Sequence, residues 1–125
     1  MFTVAELKSY MAAAVPYTYY ANEFAATSAD DSAYVRLTGG FKPSEWTNMK
    51  RPSLQVLVRG AERNGPAAET VANEIYTYLH RRADFTIGTT RIAFCAADQS
   101  VPLYIGRDEN RRPMYSVNFT LTLLD

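Results

Sequence analysis

From Met114 to Leu124 the chain alternates without interruption: Tyr115, Val117, Phe119, Leu121 and Leu123 fall on one face, Ser116, Asn118, Thr120 and Thr122 on the other. Successive side chains of a strand project to opposite sides, so the segment predicts one long strand whose apolar face the rest of the chain must cover. The polar row is a candidate for a wetted or subunit-facing sheet surface. If a helix covers that row instead, Asn118 must find buried hydrogen-bond partners.

Two segments can supply helices. Thr3 and Glu6 have the spacing of a capping box, and Val4, Leu7, Met11 and Ala14 recur on one face before Pro16 ends the pattern. Asn64-Gly65-Pro66 opens the second, with Pro66 suited to the first helical position and Glu69 favourable in the first turn. Its apolar stripe is Ala68, Val71, Ala72, Ile75, Tyr78 and Leu79, and the cationic end His80-Arg81-Arg82 complements the helix dipole.

Five further strands are expected. Tyr17 to Ala21 is short and aromatic, and Ser32 to Thr38 sets Ala33, Val35 and Leu37 against Tyr34, Arg36 and Thr38. Ser53 to Arg59 is apolar enough on both faces to be central. Thr89 to Ala96 and Val101 to Ile105 complete the set, the latter joined to the last strand by the turn-rich Gly106 to Pro113. Asn22 to Asp31 lacks periodicity and reads as a loop, as does Phe41 to Pro52 with its two prolines and lone Trp46. Consecutive strands with one interior helix predict an α+β fold: a single domain over residues 1–125, with an antiparallel-rich mixed sheet and two main helices packed on one face.

Composition narrows the function classes. At 125 residues, 47% hydrophobic and 21% charged, the chain is that of one globular domain. Thirteen Lys plus Arg against thirteen Asp plus Glu give a net charge of +0, which creates no global field to draw in nucleic acid or an acidic membrane. Only Lys8, Lys42 and Lys50 are lysines, so the basic residues are mostly arginine, and there are nine tyrosines. Both types are enriched in protein contact surfaces, although a GC-rich genome gives the same arginine bias. The N-terminal stretch does not read as a secretory signal, and no window has the run of apolar residues a membrane span needs.

Chemistry is hard to assemble from these residues. His80 is the one histidine and reads as an exposed residue at a helix C-terminus, without a nominated nucleophile or orienting partner. Cys95 is the one cysteine; it excludes an internal disulfide, fits a reducing compartment and reads as a small core hydrophobe. One His and one Cys do not make a zinc site of the usual Cys/His type, and no phosphate loop, dinucleotide fingerprint or nucleophile elbow is present. Asp30-Asp31 and Asp108-Glu109 sit among turn formers and read as solvated loop charges. Tyr17-Thr18-Tyr19-Tyr20 has no basic neighbours of the kind a base-stacking platform requires. The expectation is therefore no catalytic residue, no cofactor and no metal.

Three stretches carry a resemblance. Val35-Arg36-Leu37-Thr38-Gly39-Gly40, Leu54-Gln55-Val56-Leu57-Val58-Arg59-Gly60, and Tyr104-Ile105-Gly106-Arg107-Asp108-Glu109 followed by Arg111-Arg112-Pro113-Met114-Tyr115-Ser116-Val117-Asn118-Phe119 stand in an order and spacing that resembles the minor capsid or tail-terminator (tail completion) proteins of long-tailed bacteriophages. That resemblance implies a structural virion protein built as a sheet with helices against it. It also implies a homo-oligomer, a six-fold ring on the head-proximal end of the tail tube. Such a ring stops tube polymerisation and offers a surface to head-completion proteins, while DNA passes through it without specific binding. A free monomer that closes into a ring only on docking is compatible with this.

A ring requires two different, complementary surfaces on each copy. The candidates for tube or neighbour contacts are Trp46, Lys50 and Arg51 in the first long loop, and Arg107, Asp108, Glu109, Arg111 and Arg112 in the second turn. Two other readings compete: a head-completion or connector protein of similar size, and a small enzyme with a cryptic site, which would need a deep pocket with converging polar groups.

Overall fold

The computed structural model describes residues 1–124. Two helices, α1 (Val4–Ala14) and α2 (Gly65–Leu79), accompany eight strands: β1 (Tyr19–Ala21), β2 (Ser32–Leu37), β3 (Met49–Lys50), β4 (Ser53–Arg59), β5 (Arg82–Ile87), β6 (Thr90–Ala97), β7 (Leu103–Arg107) and β8 (Pro113–Leu124). The sheet runs in the order β1-β2-β4-β8-β6-β5, with β3 and β7 attached to β8. All pairs are antiparallel except β1 with β2. This is the α+β fold that the strand pattern predicts.

The long strand organises the molecule. On one side β8 pairs with β4 and, at its C-terminal end, with β3; on the other it pairs first with β7 and then with β6. Val117, Phe119, Leu121 and Leu123 are buried with Ala68, Ala72, Ile75 and Leu79 of α2, so the helix covers the apolar row. At 25 cal/mol per Å², burial of each large side chain in this layer contributes about 2 kcal/mol. The polar row lies on the opposite face, where it is bonded sideways. Gln55 Nε2 donates to Ser116 Oγ at 2.7 Å, and Asn118 Nδ2 donates to the same oxygen at 3.1 Å.

Helix α1 begins as its sequence requires. The Thr3 hydroxyl accepts from the Glu6 N–H at 3.2 Å, and the Glu6 carboxylate accepts from the Thr3 N–H at 2.9 Å. The helix packs on β1 and β2 at one end of the sheet and reaches β5 at the other, where Tyr10 stacks on Phe85 at 5.5 Å.

Three features depart from the sequence expectation. Strand β5 is absent from the sequence pattern and forms because α2 stops at Leu79 and Arg81 takes a positive φ of 64° that turns the chain into a hairpin with β6. Arg81 and Arg82 therefore leave the last turn of α2, and Glu69 lies beyond its first. His80 is half-buried, not exposed: it caps α2, and its Nδ1 accepts from the Ala97 N–H at 3.0 Å, tying helix to sheet. Finally, the loop from Phe41 to Pro52 contains β3 and a bridge between Phe41 and Arg51.

Candidate interaction surfaces

The two segments singled out in the sequence sit at opposite ends of β8. Lys50 pairs with Leu123 at its C-terminal end, and Arg107 pairs with Pro113 at its start. Twelve residues separate these ends by about 36 Å at the rise of an extended chain. The structure brings Trp46, Lys50 and Arg51 together in one place, and Arg107, Asp108, Glu109, Arg111 and Arg112 together in another.

The first loop is a built presentation of apolar groups. Its two legs close at the Phe41–Arg51 bridge beneath Gly40, whose φ is +100° and whose missing Cβ leaves room for the Arg51 carbonyl and the Ser53 N–H. Ser44 Oγ accepts from the N–H groups of Trp46 and Thr47, each at 3.2 Å, which turns the tip outward. Trp46 is consequently 91% exposed. The Arg51 guanidinium lies 4.5 Å from the Phe41 ring centroid, and Lys42 pairs with Glu45. Phe41, Met1 and Leu124 are also exposed.

The second turn is braced from within. Asp108 accepts from the N–H groups of Asn110 and Arg112 at 3.0 and 2.9 Å and from Arg112 Nε at 2.8 Å. Arg112 also reaches Asp30 at 3.2 Å. Behind them stands Arg59, only 3% exposed, which donates to the carbonyl oxygens of Ala29 at 2.6 Å and Asp30 at 3.3 Å. Its guanidinium lies 3.8 Å from the Phe24 ring centroid. Together these groups clamp the 22–31 loop to the turn. Burial pulls Arg59 below the usual arginine value, with the Arg112 charge adding to it. Burial pushes Asp108 up, but the bonds from Arg112 outweigh it and hold the carboxyl below its ordinary value. Asp108 and Arg112 are thus engaged inside the chain. Arg107 donates to the carbonyl oxygens of Glu62 and Arg111, and Arg111, 70% exposed, pairs with Glu62 at 3.6 Å. Glu109 is exposed.

Beside this turn lies a surface for which the sequence pattern predicts only a strand. Val101, Leu103, Tyr104 and Ile105 are all exposed. Strand β7 pairs with β8 on one side alone, leaving its other edge without a partner among the described residues. The available signal was Leu103-Tyr104-Ile105 between Pro102 and Gly106: three apolar residues in a row place hydrophobic groups on both faces, which a short edge strand cannot bury.

The model of the bacteriophage tail terminator protein family matches residues 7–125. The chain belongs to that family. The terminator is a structural protein of a virion, and none of its described helices is long and apolar enough to cross a membrane. Its fold is similar to that of a chain in the structure titled "Virion of native gene transfer agent (GTA) particle", at a TM-score of 0.67 and 14% identity, over 100% of both chains. No curated protein matches it. Cys95 sits buried in the terminator's core, where burial, and secondly the Asp98 charge, push its thiol up to about 12. Among the described residues no three His, Cys, Asp or Glu side chains gather as a metal site.

Proposed function

We propose that the terminator closes into a ring, six-fold as in the proteins it resembles, on the head-proximal end of the tail tube. There it ends tube polymerisation and offers a docking surface to head-completion proteins, without enzymatic activity of its own. The observation that carries this reading is the pair of unlike surfaces at opposite ends of β8, since a closed ring needs two different complementary patches on every copy. Membership of the tail terminator family and the fold shared with a chain of a gene transfer agent virion support it. Near-neutral charge suits a channel wall past which DNA must slide.

The test is tube elongation. Purified tube protein polymerised with the terminator should stop at capped ends that carry a ring in electron micrographs. Tubes that grow equally long in its presence, with no ring at their ends, would overturn the proposal. Binding to a head-completion complex while tubes remain bare would favour the connector reading.

A further inference from the structure

Strand β6 outruns its neighbour β5. Their register, with Arg82 opposite Cys95, carries on to set His80 opposite Ala97, where the chain is still the cap of α2. Neighbouring N–H groups of a strand point to opposite sides: that of Asp98 donates to the Asn118 carbonyl of β8 at 2.9 Å, and that of Ala97 faces the side where β5 has not yet begun. The His80 ring takes the place of the missing strand, its Nδ1 accepting from the Ala97 N–H at 3.0 Å. A nitrogen that accepts carries no proton, so this bond requires the neutral imidazole with its hydrogen on Nε2.

Two influences on the ring are opposed. The Ala97 donor needs the neutral form, while the unsatisfied carbonyl groups at the C-terminus of α2 favour a cationic one. The Tyr76 ring of α2 lies 5.2 Å away between centroids. Arg81 and Arg82 stand where β5 begins, the latter with its guanidinium 4.0 Å from the Tyr78 ring centroid. Asp98 follows β6 and accepts from the Thr120 hydroxyl of β8, which sets the apolar Phe119 opposite Ala97.

We infer that His80 is a proton-operated latch between α2 and the crossover from β6 to β7. A proton on Nδ1 turns the acceptor into a donor, so the Ala97 N–H loses its partner and the imidazolium turns toward the carbonyl end of α2. The latch holds the point at which the chain leaves the ladder. Asp98 to Pro102 follow Ala97 directly, Gln99 among them bonds β8, and the exposed strand β7 comes next. Mild acid thus loosens the crossover and the seat of β7 in the folded protein. His80 is the sole histidine, so no other imidazole contributes.

Amide exchange followed by NMR tests it, each rate divided by its intrinsic value at the same pH. As the single imidazole titrates between about pH 8 and about pH 5, protection at Ala97 should fall roughly tenfold in step with it. Asparagine offers Oδ1 where histidine has Nδ1 and does not titrate, so His80→Asn should keep Ala97 protected throughout. His80→Phe should leave it unprotected at every pH; should that variant not fold, the wild-type titration and His80→Asn still decide. Protection that stays level while the ring titrates, a fall that persists in His80→Asn, or a ring that gains no proton over this range would overturn the inference.

Discussion

The side-chain amide of Gln99 stands in for a peptide group beside Asn118. Its Oε1 accepts from the Asn118 backbone N–H at 3.0 Å, and its Nε2 donates to the Ser116 carbonyl at 2.8 Å. Strands β6 and β7 lie end to end along β8, and the chain leaves the ladder between them at Asp98 to Pro102. Gln99 fills the gap, so β8 keeps its hydrogen bonds where the backbone has departed.

Removing that amide should therefore cost more than a surface substitution. Gln99→Ala leaves the Asn118 N–H and Ser116 carbonyl unpaired, a loss of about 1–3 kcal/mol in denaturant unfolding. Gln99→Glu replaces the donor with a second acceptor facing the Ser116 carbonyl and should also destabilise at neutral pH, with recovery as the carboxyl protonates. An unfolding midpoint unchanged in both variants would refute this role.

Arg59 holds the 22–31 loop through the carbonyl oxygens of Ala29 and Asp30. Arg59→Ala should cost about 3 kcal/mol and expose that loop to limited proteolysis before the sheet unfolds. Arg111→Ala, on an exposed pair, should change stability by under about 1 kcal/mol. Equal losses for the two arginines would contradict the clamp.

Acid should loosen the same corner. The Asp108 carboxyl sits below its unfolded value despite burial, owing to its bonds from Arg112 and Asn110. Its stabilisation is thus fully present above the ordinary carboxylate value of about 4 and lost as pH falls through the depressed folded value. Asp108→Asn should lower stability at pH 7 and flatten the fall below about pH 4. An acid limb of unchanged slope would argue against it.

Gly88 turns the β5–β6 hairpin with φ +61°, and a Cβ there would strike the Glu6 carboxylate that caps α1. Gly88→Ala should cost roughly 2–3 kcal/mol, combining left-handed strain with disturbance of the cap. In a Glu6→Ala background the increment should shrink, since the clash is gone, and a double-mutant cycle measures the difference.

Cys95 is buried with its thiol pushed up to about 12, so neutral thiol reagents should label it only through unfolding. Labelling rates should rise with denaturant in parallel with global unfolding. Rapid labelling in native buffer would mean that the β6 region opens locally.

The elements with strong local signals were legible in the sequence. The alternation in β8, the capping box of α1 and the apolar stripe of α2 each follow from side-chain direction along a strand or helix, so short-range pattern was enough. The family resemblance came from the β2, β4 and β7–β8 segments and agrees with the family match. β5 was hidden because its only fully buried side chain is Ile87, and the positive φ at Arg81 that starts it falls on residues that also suit a helix end.

The candidate surfaces were half visible. Trp46 in a polar, proline-rich loop was noticeable in sequence, and its exposure is set locally by Ser44. That Asp108 and Arg112 turn inward onto Arg59 and Asp30, while Leu103 to Ile105 stay uncovered, depends on residues up to 82 positions apart. The sequence by itself determined the long amphipathic strand and the helices that cover it, because periodicity acts over neighbouring residues. Only the tertiary structure decided which charges are consumed internally and which apolar groups remain for a partner, because burial is a property of what the fold brings alongside a residue.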